Sequence, residues 1–191
     1  MPYIDAHQHF WNLEQESYPW LTPTLAPIYR SFGPADLTPQ LEACGVVGTV
    51  LVQSANSFDD TRVMLEQAQS VPWVLGVVGW LPLTEPHILE RALEVYGDNP
   101  HFKGVRHLNH DEPDPDYLLR PGVLESLKLI AQRGLTLDLI AVLPRHLEHA
   151  ATLARHCPDL RLVIDHLAKP PIRGGGWEPW ASGLARAAQP P

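Results

Sequence analysis

The sequence predicts a parallel α/β fold, on three observations. Six short apolar runs stand out, at residues 3–7, 46–53, 73–80, 102–107, 135–140 and 160–166. Most are continuous in Val, Leu and Ile and do not alternate with polar residues, as strands covered on both faces do. Helical patterns separate them, and after the first run the strands recur roughly every 25–32 residues, the spacing of repeated βα units.

The first run ends in Asp5-Ala6-His7-Gln8-His9. Side chains two positions apart on a strand share a face, so His7 and His9 converge on one point. Two neutral imidazoles meeting where a strand runs out start a metal site or a cluster of catalytic donors. The plain alternative is a pair of half-exposed loop histidines. A helical stretch at 38–43 precedes Gly45, and Asp59-Asp60 opens a helix through Ser70. The pattern at 87–95 ends near Gly97, and Pro121 opens a helix that Gly134 closes. Residues 144–156 give another helix, with Leu147, Ala150, Ala151 and Ala154 on one side. Proline near the start and glycine past the end is the expected asymmetry. His146, His149 and His156 are expected on the surface of that last helix. The 20 prolines gather at 19–39, 82–86, 113–121 and 170–191, which reads as loops between elements.

The length of 191 residues suits a single domain, 1–191, with its own core. Hydrophobic residues make up 45% and charged residues 19%, which excludes a disordered chain. The net charge of −8, with no block of Lys or Arg, excludes nucleic acid and anionic membrane as partners. No stretch approaches the ~18 apolar residues of a membrane span, and no signal peptide is visible. Cys44 and Cys157 are expected as reduced, buried thiols of a cytoplasmic protein.

Six βα units allow an open doubly wound sheet or most of an eight-stranded barrel, and periodicity does not choose between them. A dinucleotide-binding sheet wants a glycine-rich first turn, whereas this turn carries His7-Gln8-His9-Phe10-Trp11. Gly174-Gly175-Gly176 has no phosphate-binding helix after it and reads as a flexible loop.

In parallel α/β folds the chemistry sits at the carboxyl ends of the strands. Those ends carry His7 and His9, then Gln53 and Ser54, then Trp80, then Arg106 and His107, and finally Asp165 and His166 followed by Lys169. Asp138 lies within the fifth run. Histidines at three strand ends exceed the polar background of any loop. Arg106 reads as a clamp for an anion or carbonyl, because a guanidinium needs partners. Gln53 and Trp80 suit either core or rim. Asp165 suits a strand tie, and Asp138 suits a structural or a functional role equally. His110, Asp111, Glu112, Asp114 and Asp116 read as a solvated acidic loop.

These residues resemble the amidohydrolase superfamily, and within it the branch of sugar lactonases related to 2-pyrone-4,6-dicarboxylate lactonase. The matching pieces are Ile4-Asp5-Ala6-His7-Gln8-His9-Phe10-Trp11, Tyr18-Pro19-Trp20-Leu21, Gly48-Thr49-Val50-Leu51-Val52-Gln53, Gly76-Val77-Val78-Gly79-Trp80, Phe102-Lys103-Gly104-Val105-Arg106-His107 and Val163-Ile164-Asp165-His166-Leu167-Ala168-Lys169-Pro170. The resemblance implies a (β/α)8 TIM barrel of the metal-dependent hydrolase type, opening a sugar lactone or similar cyclic ester by activated water. It implies His7, His9 and His166 as catalytic residues and, in the members that use one, as ligands of a divalent metal such as zinc, other members being metal-free. It implies Arg106, His107, Gln53 and Trp80 as contacts to the small-molecule lactone.

One departure bears on activity. Six βα units are present, and the last two of the family's barrel have no counterpart, nor does its strand 8 Asp, the expected general base. Six strands also leave two edges and apolar interior exposed, so the expectation is instability alone, aggregation, or pairing with another chain, a homo-oligomer included. Two further readings follow: a catalytically silent truncated homologue that binds a sugar acid or a partner chain, and a related decarboxylase or hydratase.

Overall fold

The computed structural model describes residues 2–189; Met1 and the closing Pro190-Pro191 of the last proline-rich stretch lie outside the described residues. The chain divides into two compact units, Met1–Trp80 with Asn99–Lys103, and Leu81–Asp98 with Gly104–Pro191. Among the described residues no helix is long and apolar enough to cross a membrane.

The first unit holds strands β1 (Tyr3–Gln8), β2 (Val46–Val52) and β3 (Val74–Gly79). Helices α1 (Pro34–Cys44) and α2 (Phe58–Ser70) connect them. β1 pairs with β2 and β2 with β3, all parallel and in chain order. The opening residues of β4 (Phe102–Arg106) continue that order, with the Val77 N–H donating to the His101 carbonyl at 2.7 Å. α1 starts on Pro34 and ends on Gly45 in the left-handed region (φ 67°), a conformation glycine adopts without steric cost. Ser57 caps α2 by accepting from the Asp60 N–H.

The second unit holds the rest of β4 with β5 (Thr136–Leu139) and β6 (Arg161–Ile164), again parallel and in chain order. Its helices are α3 (Pro86–Tyr96), α4 (Pro121–Gln132), α5 (Pro144–His156) and α6 (Trp180–Ala187). Leu127, Ile130, Leu137, Leu139 and Leu153 form its buried centre. A doubly wound sheet reverses its order at a switch point. Neither unit shows such a reversal, so strand order supplies the choice that periodicity lacked and favours the barrel class.

The register of β1 carries one irregularity that matters for the site. Asp5 pairs opposite Thr49 and Gln8 opposite Leu51, so three steps on β1 match two on β2. The extra residue is a bulge at Ala6-His7, which re-aims the side chains beside it. The Asp5 carboxylate accepts from the His7 N–H at 3.1 Å and holds the bulge closed.

β6 ends earlier than expected, at Ile164. His166, Leu167, Ala168 and Lys169 then all have φ between 47° and 56°. A left-handed run of non-glycine residues costs roughly 1–2 kcal/mol per residue, so neighbouring contacts must hold it. Ala168 is buried against Ala141 and Leu147, and the Trp180 indole N–H donates to the Leu167 carbonyl at 2.7 Å.

Gly104 sets how closely β4 and β5 approach. A Cβ on it would lie 2.0 Å from Thr136 Oγ1 and 3.0 Å from the Thr136 carbonyl oxygen. Gly104→Ala therefore forces the two strands apart, at a cost of about 1–3 kcal/mol by analogy with overpacked cores. Urea unfolding should show a lower midpoint for this variant, while Gly176→Ala, with open space around its Cβ, should leave the unfolding free energy within about 0.5 kcal/mol of the parent.

Candidate active site

At the end of β1 in the first unit, His7 Nε2 and His9 Nε2 lie 3.0 Å apart, with the rings edge to face. His9 Nδ1 is 2.7 Å from the Val52 carbonyl oxygen. A carbonyl only accepts, so Nδ1 carries the proton and Nε2 presents its lone pair to His7. Fixing a ring through its far nitrogen in this way is how ligating histidines are oriented. Two nitrogens bound tetrahedrally to one zinc at ~2.0–2.1 Å sit about 3.3 Å apart. The observed separation is within a few tenths of an ångström of that value, so the pair fits a divalent cation.

The end of β2 adds Gln53, fully buried, whose amide donates to Asn56 Oδ1 at 3.1 Å. Trp80 directly follows β3, with its ring against Phe58 and its backbone bonded in both directions to the Thr61 hydroxyl. Thus Gln53 belongs to the core and Trp80 to a half-buried rim.

A 20-residue excursion after β1 is closed where Trp11 and Phe32 exchange backbone hydrogen bonds at 3.2 and 2.9 Å. Tyr18, Leu21 and Ala55 form a small core beneath it, with Trp11 and Trp20 packed on top. Asp60, missed in the sequence as more than a helix opener, is buried and accepts from the Ser54 and Ala55 N–H groups at 2.8 and 3.2 Å. Ser57 three residues before it was the available signal, since that spacing makes a cap.

In the second unit, Arg106 at the end of β4 pairs with Asp165 just past β6 at 3.0 Å, their side chains 4% and 1% exposed. Its clamp capacity is therefore spent at least partly inside the protein. Asp138, also buried, accepts from the Thr136 hydroxyl at 3.1 Å. His166 is exposed on the left-handed turn. His107 is buried, stacked on Tyr117 at 4.4 Å, with Nε2 2.8 Å from the Glu112 carboxylate.

Several expectations are corrected here. His146 and His149 are 2% and 3% exposed and do not lie on the helix surface; only His156 does. His146 Nδ1 accepts from the Val142 and Leu143 N–H groups at the start of α5, and His149 donates to Asp116. The acidic loop is not all solvated: Glu112 meets His107, and Asp116 also holds Arg145. Cys44 is exposed, whereas Cys157 is buried as expected, and its burial raises its pKa.

A family model described as amidohydrolase matches residues 4–191. An L-fucono-1,5-lactonase of Burkholderia ambifaria is 39% identical over 188 residues, covering 98% of this chain and 64% of that protein. An L-fucono-1,5-lactonase of Burkholderia multivorans is 29% identical over 170 residues, covering 88% and 56%. The crystal structure of a Burkholderia multivorans amidohydrolase with bound zinc superimposes with a TM-score of 0.82 at 28% identity, covering 98% of this chain and 64% of that one. The chain thus spans less than two thirds of the length of these relatives. The likeness places its six βα units in the barrel class already favoured by strand order.

Burial holds the imidazoles of His107 and His146 below the usual value; Glu112 opposes the shift at His107, and neighbouring His149 and His110 add to it at His146. The unfolded chain then binds more protons than the folded one once the pH falls below about 6.5. The stability tied to these neutral rings is present above that value and is lost as the pH drops through it. The thermal midpoint should fall between pH 7 and pH 5, and His146→Gln should make that slope shallower. A midpoint that stays flat over this range would show that the rings take up protons freely in the folded state.

Proposed function

The chain belongs to the amidohydrolase family, and we propose that its activity is the hydrolysis of a sugar lactone, of which L-fucono-1,5-lactone is the first candidate. The observation that carries this reading is the His7–His9 pair, held at 3.0 Å with its outer nitrogen fixed by the Val52 carbonyl. The 39% identity to an L-fucono-1,5-lactonase supports the substrate class.

Lactone opening needs an activated water, a polarised carbonyl and a proton for the departing ring oxygen. A divalent ion such as zinc, when bound, supplies Lewis acidity to the carbonyl and to water. His7 and His9 are the donors for it, and the family motif assigns His166 as a third. Arg106 and His107 serve the carbonyl or carboxylate side of the substrate, and Gln53 and Trp80 complete the set by motif. Charge supports Arg106 in this role, because its guanidinium stays protonated while one of its edges is engaged by Asp165. Gln53 acts from within the core, so its influence passes through the turn it shares with Asn56. A cytoplasmic location and a small-molecule partner belong to the same proposal.

Binding of a sugar acid or a partner chain without turnover is the second reading, favoured by the internal Arg106–Asp165 pair, which takes up part of the clamp. The test is the 191-residue chain incubated with L-fucono-1,5-lactone, with and without added zinc, followed by titration of released acid. Turnover above the buffer rate is expected, and His9→Ala should lower it by about 10²–10⁴-fold, the usual worth of a positioned imidazole. A parent rate equal to buffer, alongside measurable binding of the aldonic acid by calorimetry, would establish the silent reading instead.

A further inference from the structure

Three elements of the second unit meet at His107. The residue follows Arg106 at the end of β4, and its ring lies nearly parallel to Tyr117, at 4.4 Å and 15°. Its Nε2 is 2.8 Å from Glu112 Oε1. Glu112 lies in the loop past β4, with its side chain 27% exposed while that of His107 is 6% exposed. A carboxylate only accepts, so the Nε2 proton points at Glu112 and the lone pair of the neutral ring falls on Nδ1. The Tyr117 hydroxyl is bonded in turn to Thr84, and burial pushes its pKa up to about 12, so the stacking face stays neutral. The charged groups that bear on His107 are Glu112 and, more weakly, Asp111.

We propose that Glu112 is the positioning residue of His107, fixing both the orientation of the ring and the nitrogen that carries its proton. The chemical purpose rests on the lactonase reading: that reaction takes a proton from water and gives one to the departing ring oxygen. A buried imidazole with a set proton position, and a carboxylate against its charged form, is suited to that transfer. The arrangement has the logic by which an acidic residue orients a catalytic imidazole. Glu112 touches no reacting atom in this role and works through His107.

The test is nitrogen NMR of the full 191-residue chain labelled with ¹⁵N-histidine, with the His107 signals identified by their loss in His107→Gln. The neutral ring of the parent should show the Nε2–H tautomer. Glu112→Gln keeps an acceptor but removes the charge, so it should retain that tautomer and titrate at lower pH. Glu112→Ala should lose the tautomer preference. An Nδ1–H tautomer in the parent overturns the assignment without any variant, as does a His107 titration unchanged in both variants. These signals need no turnover, so failure of the lactonase reading shows in the lactone assay alone and is told apart from failure here.

Discussion

A guanidinium and a carboxylate that are both almost wholly out of water must face each other, and the Arg106–Asp165 pair places that demand on the second unit. It ties the end of β4 to the end of β6 across β5, at 3.0 Å. Coulomb attraction gained in the interior is offset by the desolvation of both ions, so such a pair contributes little net stability. Its weight lies in the alternatives it forbids, since removing one partner strands the other charge at a cost of about 3–5 kcal/mol. Just past that pair the chain leaves the strand after Ile164 and turns left-handed at His166. Along that turn Asp165 is buried and His166, the next residue, is exposed.

Much of the fold was legible because parallel strands covered on both faces are written as continuous apolar runs. The runs at 46–53 and 102–107 coincide with β2 and β4 to within a residue. Proline and glycine marked α4, and proline marked the start of α5. The end of β6 was placed two residues late because the run was carried on over Asp165 and His166, where the backbone has already left the strand. His146 and His149 were misread because a histidine on a helix is more often solvated. Their burial depends on Asp116 and on backbone N–H groups brought in by folding. Glu112 was hidden for the same reason, lying among acidic residues that do face water.

The candidate site was legible in its residue types and less so in its geometry. His7 and His9 were read as neighbours on alternation alone, and the structure adds a bulge at Ala6-His7 and the carbonyl that orients the outer ring. Arg106 was read as a clamp from its need for partners, and one partner proves to be internal. Gln53 joins the core because its backbone N–H bonds Val78 in the sheet and its side chain folds back on Asn56. Composition and spacing name the donors, whereas the direction of each donor is a property of the folded backbone.

The bond from His9 Nδ1 to the Val52 carbonyl has one more consequence. With that nitrogen committed to donating, the lone pair of His9 Nε2 faces the His7 ring. A proton and a divalent cation are then rivals for the same electrons. A divalent cation held at this strand end would take the His9 lone pair that faces His7, so the two uses of that lone pair exclude each other. The Val52 carbonyl, which belongs to a neighbouring strand and touches neither rival, sets the terms of that exchange.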